Sequence, residues 1–345
     1  MTENELLDSY LAYQPPPVEP PSARTWAKHI FFLVLTFFTA TIAGSLYPFG
    51  PYNTLRLLGD DPETLSQFFQ FLIALPTIYG ALIGDAVKQL ITAPTNLVHG
   101  ISFSLSLLFI LVCHEMGHYI ACRIYRVDAT LPFFIPTPPM LGPAGTFGAF
   151  IKILSPMPSR KAVFDIGVAG PIAGFIALLP IAVMGIVTME MISPVEIANS
   201  QNLLVFSDPP LLKLLAFVLG VDLTLGAGNA FYYAAWVGLL VTALNLIPSG
   251  QLDGGHAIYA VLGEKVHLWT GRVAFVVMAV LSIAGLYFFS SPSGFLIAII
   301  LGVMMRIKHP QPYDQRPIGT GRKFIALLTV IIFILCFVPF PIRLS

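Results

Sequence analysis

The sequence predicts an all-α polytopic membrane protein with about seven transmembrane helices and a small re-entrant β/loop region after the helix that carries His114. Three observations lead there. The 345 residues are 56% hydrophobic and only 10% charged, against about 25% charged in an ordinary soluble domain. The mean hydropathy is +0.81. The apolar stretches run on for about 20 residues without the alternation a barrel strand needs, which favours helices.

Taken in order, residues 1–26 are polar, acidic and proline-rich, and read as a disordered cytosolic tail. No A-x-A-like site follows the first apolar run, Ile30 to Ala43, so that run is expected to stay as an anchor. Residues 27–98 then hold the anchor helix and an extracytoplasmic or re-entrant segment. Residues 99–265 are expected to form the membrane core that carries two polar motifs, and 266–345 to supply C-terminal transmembrane helices. The expected spans are Ala27–Tyr47, His99–Cys122, Ala162–Met189, Phe231–Gly250, Arg272–Phe289, Ser293–Met305 and Lys323–Phe340.

Phe68–Gly84 is apolar, but Pro76 and Gly80 interrupt it and Asp85 and Lys88 follow. It reads as a span, a re-entrant hairpin or an interfacial helix. Basic residues choose among these. If it does not cross, only Arg56, Lys88, Lys213 and Arg343 of the 18 Lys and Arg fall outside, as the positive-inside rule requires. Crossing would invert everything downstream. The non-crossing arrangement gives seven spans with the N-terminus inside.

Charge balance excludes other classes. Lys plus Arg equals Asp plus Glu at 18 each, and no basic patch offers a nucleic-acid surface. Cys113, Cys122 and Cys336 all lie in or beside apolar segments, so no disulfide framework is implied.

The chemistry begins at His114-Glu115-Met116-Gly117-His118, directly after the charge-free run from Ile101 to Val112. Imidazoles and a carboxylate are expensive inside hydrocarbon, and such groups are functional by default. On a helix His114 and His118 share one face, so two ring nitrogens can grip one Zn²⁺ while Glu115 reaches the water beside it. Catalytic zinc wants a third protein ligand. Asp253, in Asn245-Leu-Ile-Pro-Ser-Gly-Gln-Leu-Asp253-Gly254-Gly255-His256, is the favoured donor, with His256 as its rival. Pro248 and Gly250 break the helix there, and irregular backbone at membrane depth survives only where it lines a cavity. One Asp⁻ also offsets half the charge of the ion.

Both motifs together, in this order and on two apolar spans, resemble the site-2 protease family of intramembrane zinc metalloproteases. The resemblance covers residues ~95 to ~265. It implies one Zn²⁺ per chain held by His114, His118 and Asp253, with Glu115 as general base and acid. It also implies that Asn245 steadies the oxyanion or positions the substrate. Transmembrane proteins within the lipid bilayer would be the substrates, and the active site would lie towards the cytosolic leaflet. Many relatives insert PDZ domains between the motifs. Here only residues ~190–230 lie outside the membrane, too few for a domain of roughly 90 residues, so a PDZ-less member is expected.

Between the motifs, Leu131–Pro158 is rich in Pro and Gly, and Thr146–Leu154 (TFGAFIKIL) is rich in β-formers. An exposed strand edge there would capture an unwound substrate by β-augmentation, with Gly148, Phe150 and Pro248 as substrate-binding residues. A plain re-entrant structural loop is the alternative. Ile166-Gly167-Val168-Ala169-Gly170-Pro171-Ile172-Ala173-Gly174 places small residues three and four apart, a pattern for close helix packing. Two other functions fit less well. A peptidase of the CAAX-processing type would use a downstream Glu in E-x-x-x-D, which the later spans lack. An ion-coupled transporter would spread charges over several spans.

Overall fold

A computed structural model describes residues 19–53, 64–139, 142–193, 204–291, 293–305, 307 and 309–344. Most of the expected N-terminal tail, and the basic residues Arg56, Arg306 and Lys308, lie outside the described residues. The described chain is mostly helical. Its helices are α1 (Ala23–Ser45), α2 (Leu65–Thr92), α3 (Pro94–Ile124), α4 (Arg160–Val187), α5 (Pro210–Leu219), α6 (Ala230–Asn245), α7 (Asp253–Leu262), α8 (Glu264–Phe289), α9 (Ser293–Met304) and α10 (Thr320–Cys336). Three antiparallel strand pairs accompany them: β1 (Phe133–Pro136) with β2 (Thr146–Phe150), β3 (Glu190–Met191) with β5 (Gly226–Ala227), and β4 (Leu204–Phe206) with β6 (Ile342–Leu344).

The helices begin where side chains can satisfy their first amides. Ser22 caps α1, accepting from the Thr25 amide at 3.2 Å. Thr64 and Gln67 form a reciprocal capping box on α2. Ser159 caps α4 through the Ala162 amide at 3.1 Å, and Asn229 caps α6 through the Tyr232 amide at 3.0 Å. Pro94 occupies the first turn of α3, where its missing N–H costs nothing.

Five helices (α1, α2, α3, α4 and α8) are long and apolar enough to cross a membrane; α6, α9 and α10 are shorter, at 16, 12 and 17 residues. The sequence places spans at those three, the one at α9 already short, and leaves Phe68–Gly84 open as a span, a re-entrant hairpin or an interfacial helix. Residues 65–92 form one continuous 28-residue helix that runs through Pro76, so the re-entrant hairpin is not what forms. A proline removes one i→i−4 bond and bends the helix, and the capping box and apolar faces on either side carry it through. Large apolar side chains lie exposed on α2 (Phe69, Ile73, Ile91), α8 (Val273, Val280, Ile283) and α10 (Phe324, Leu327). Such extensive exposed apolar surface is what an integral membrane protein turns to lipid.

The end of α1 lies beside the start of α3. The Thr41 and Ser104 hydroxyls are 2.8 Å apart, and the His99 Nε2–H donates to the Phe49 carbonyl at 3.0 Å. The two helices therefore run antiparallel, and residues 46–93 return the chain to the end from which they set out.

The core has two main parts. One packs Phe103, Leu107 and Ile110 of α3 against Leu178 of α4 and Trp236 and Leu239 of α6. The other joins Cys122 and Val127 to Val163 and Phe164 of α4 and Tyr259 and Ala260 of α7. His114 to His118 fall on α3 between Leu111 of the first and Ala121 of the second. Both ends of the motif turn are thus held by packed helices. The three cysteines are free thiols.

Candidate metal centre

His114, Glu115 and His118 are buried at 3%, 5% and 7% exposure. The helical period sets His114 and His118 on one face of α3, as their spacing requires. Asp253 arrives from a different element. After Asn245 the chain leaves the helix in a tight turn, with the Leu246 amide bonded to the Thr242 carbonyl and the Ser249 amide to the Ile247 carbonyl. It then restarts as α7 with Asp253 in the first turn. A carboxylate at a helix N-terminus is favoured by the helix dipole. Gly254 is needed for this return: a β-carbon there would sit 2.1 Å from the Leu246 carbonyl oxygen.

Three donor atoms converge. Nε2 of His114 and Nε2 of His118 are 3.2 Å apart, and each is 3.3 Å from Oδ2 of Asp253. Tetrahedral zinc with ligands at ~2.0–2.1 Å has edges of about 3.3 Å between ligand atoms. The three separations match three edges of that tetrahedron, and the donor set of two imidazoles and one carboxylate suits zinc. Among the described residues, these three form the group of His, Cys, Asp and Glu side chains able to hold a metal.

A neighbour fixes one imidazole. Nδ1 of His118 lies 2.7 Å from the Ile166 carbonyl, which only accepts, so Nδ1 carries the proton and Nε2 keeps its lone pair for the metal. Space for that ring comes from α4. A β-carbon at Gly170 would lie 2.0 Å from Nε2 of His118, and one at Gly174 3.1 Å from Cβ of His114. The small-residue run packs α4 against the catalytic turn of α3, as its spacing implied.

The other expected residues divide. Asn245, the last residue of α6, brings its Nδ2 to 3.2 Å from Nε2 of His114. Ile151, just beyond β2, lines the same cavity as Glu115. This cavity, of about 200 Å³, opens beside these groups, with Phe150, Leu252 and Asn245 also in its wall. Phe150 is therefore at the site. Gly148 and Pro248 do not line this cavity; Gly148 sits in β2 with φ of +90°, and Gln251 and Leu252 line the cavity from the segment after Pro248. His256, weighed as a rival ligand, turns instead to His309, with its Nδ1 2.7 Å from Nε2 of that residue. Sequence reasoning missed the Ile166 carbonyl, because a backbone acceptor leaves no trace in residue type. It also missed His309, which sits beyond two further helices.

Fold and site together define a membrane-embedded metal centre built from an HExxH helix and an Asp-bearing loop. The family model described as peptidase family M50 matches residues 102–286, more than half of the chain, and the chain belongs to that family, the site-2 protease family of zinc metalloproteases. It is 28% identical over 334 residues to the probable chloroplast zinc metalloprotease EGY1 of Arabidopsis thaliana, covering 93% of this chain and 55% of that protein. EGY1 of Oryza sativa subsp. japonica is 29% identical over 236 residues, covering 66% of this chain and 38% of the relative. EGY2 of Oryza sativa subsp. indica is 28% identical over 279 residues, with coverage of 78% and 42%. The chain thus spans about half the length, or less, of these curated relatives.

Proposed function

We propose that this protein is an intramembrane zinc metalloendopeptidase that hydrolyses peptide bonds in or near transmembrane segments of other membrane proteins. The observation that carries this reading is the triangle of His114, His118 and Asp253 donor atoms at 3.2 and 3.3 Å, with Glu115 on the same helix turn. Zn²⁺, when bound, lowers the pKa of water towards ~7 and polarises a carbonyl.

The chain's own groups supply the rest. Glu115 takes a proton from the attacking water and returns it to the leaving amine. Asn245 holds an amide N–H₂ 3.2 Å from Nε2 of His114, and in this reading it donates to the oxyanion that develops beside the metal. The β1–β2 hairpin offers a strand beside the cavity, and its continuation at Ile151 lines that cavity with Glu115. A substrate helix must be unwound before its carbonyls can be attacked, and a strand edge stabilises the extended form.

The topology in this reading has the N-terminus in the cytosol, no net crossing between residues 46 and 93, and seven crossings in all. The antiparallel contact of α1 and α3 supports it, as does the charge bias of the loops. It puts the active site towards the cytosolic leaflet.

The test is a pair of substitutions in purified protein. Glu115→Gln should keep about one zinc per chain and lose cleavage of a transmembrane model substrate, while His118→Ala should lose both. Normal cleavage by the Glu115→Gln protein would remove Glu115 from its role.

A further inference from the structure

A second histidine cluster lies beside the metal centre, and hydrogen-bond donors and acceptors within it can be assigned. His309, on the segment between α9 and α10, is buried at 9% exposure and stacks on Tyr259 of α7, with ring centroids 3.9 Å apart and planes 9° from parallel. Its Nδ1 is 2.8 Å from the Pro310 carbonyl. That oxygen only accepts, so Nδ1 of His309 carries a hydrogen. Burial pushes the His309 imidazole down to about 3, so the ring is neutral at physiological pH and its Nε2 is a lone pair. The Nδ1 of His256, 2.7 Å from that lone pair, must then be the donor.

The consequence falls on the other nitrogen of His256. Beside a divalent cation an imidazolium is disfavoured, so a neutral His256 with hydrogen on Nδ1 keeps a lone pair on Nε2. Its side chain lines the same cavity as Glu115 and Asn245, and among the described residues no hydrogen bond engages Nε2. An unwound substrate segment brings backbone N–H groups freed from helical bonds, and each is costly to bury without an acceptor. The cavity already has a donor in Asn245, a proton carrier in Glu115 and a metal-facing carboxylate in Asp253. An uncommitted acceptor for a substrate N–H is what His256 adds.

We propose that His256 is a substrate-binding residue, held by the positioning residue His309 as the Nδ1–H tautomer so that its Nε2 accepts a hydrogen bond from a substrate backbone N–H. This rests on the proteolytic reading above for its substrate, though not for its tautomer.

Two measurements test it. In zinc-loaded full-length protein with ¹⁵N-labelled histidine, two-bond ¹⁵N–¹H correlation should show His256 as the Nδ1–H tautomer, its signals assigned by their loss in His256→Phe. His309→Phe, which keeps the stack on Tyr259, should release His256 to the Nε2–H tautomer. His309→Gln, whose Oε1 can replace the Nε2 acceptor, should preserve the Nδ1–H form. An Nε2–H tautomer in the unaltered protein overturns the assignment.

The second measurement uses a transmembrane peptide that the protein cleaves and its Glu115→Gln variant does not, remade with single amide-to-ester replacements around the cut. His256→Phe should lower kcat/KM about tenfold on the amide peptide with zinc content unchanged. At one ester position the unaltered protein should lose a similar factor and His256→Phe lose nothing more. Independent, additive losses at every position overturn the proposal. Failure of the zinc-loaded protein to cleave any transmembrane peptide would sink the proteolytic reading instead, and the tautomer measurement would still stand on its own.

Discussion

Gly170 of α4 faces the imidazole of His118 so closely that a β-carbon there would lie 2.0 Å from Nε2. That nitrogen is one corner of the donor triangle, and its ring is already anchored on the other side by the Ile166 carbonyl at 2.7 Å. The ring therefore has no free direction in which to yield. Gly170→Ala is expected to weaken zinc binding about 10–100-fold, the range seen when the support of a metal-binding histidine is disturbed. Competition with a chelator measures it. Gly80→Ala on α2 is the control, because nothing lies within 4 Å of its added carbon, and it should bind zinc normally.

Asn245 differs in kind from the ligands. Its Nδ2 reaches His114 at 3.2 Å without belonging to the donor triangle. In the proposed role the amide acts only as charge develops, so removing it should slow the chemical step and spare ground-state binding. Asn245→Leu is expected to cut kcat by about 10²–10³-fold with KM and zinc content nearly unchanged. A parallel fall in zinc content would make Asn245 a support for His114 instead.

How much of this could be read from the sequence depends on what each feature rests on. The His114–His118 pair follows from helical period alone, and Asp253 from a helix break followed by two glycines, so the donor set was legible. The membrane class was legible from composition. The end of α6 was not, because apolar residues continue past it into a turn, whereas the short span expected at Ser293–Met305 matches α9. Asn245 ends α6 with hydropathy still high, and the tight turn at 246–252 is set by backbone bonds that residue type does not encode. For α2 the sequence left three forms open, and only the hairpin is excluded: Pro76 and Gly80 look like breaks, yet a helix with good ends and apolar sides absorbs both. The contact between His256 and His309 spans 53 positions, and no local pattern foretells it.

The C-terminal helix is tied to the catalytic body by one polar cluster. Arg322 of α10 grips Asp165 of α4 with Nε at 2.9 Å and a terminal nitrogen at 2.7 Å, and the Tyr125 hydroxyl, just past α3, bonds the same carboxylate. Both ionic side chains are under a third exposed, at 30% and 27%. Arg322→Ala leaves the Asp165 carboxylate without its partner and should cost about 1–3 kcal/mol, read as a lower thermal midpoint in detergent. The pair Arg316–Asp314 is bidentate too, but Arg316 stands in solvent at 68% exposure. Arg316→Ala should leave the midpoint where it was. Equal losses from both would mean that burial does not set the strength of these pairs.

Capture of substrate as an added strand makes the sharpest demand on β2. Its pairing with β1 aligns Phe133 with Phe150 and Phe134 with Ala149, and pairing continues in the bridge between Ala129 and Ile153. A two-stranded sheet leaves one edge of each strand unpaired, and Phe150 is 45% exposed at the cavity wall. Proline removes a backbone donor and is tolerated at an edge only where that donor is unused. Position matters for the test. Gly148 has φ of +90°, which proline cannot adopt, and Ile151 shares the cavity wall with Glu115, so substitutions there would disturb more than the edge. Ile153→Pro is cleaner, because the bonds to the partner strand there use its neighbours, the Lys152 carbonyl and the Leu154 amide. It is expected to lower cleavage of a transmembrane substrate at least tenfold while zinc content stays at about one per chain. Cleavage at the unaltered rate would mean that the hairpin is a structural loop and that the substrate is held elsewhere in the cavity.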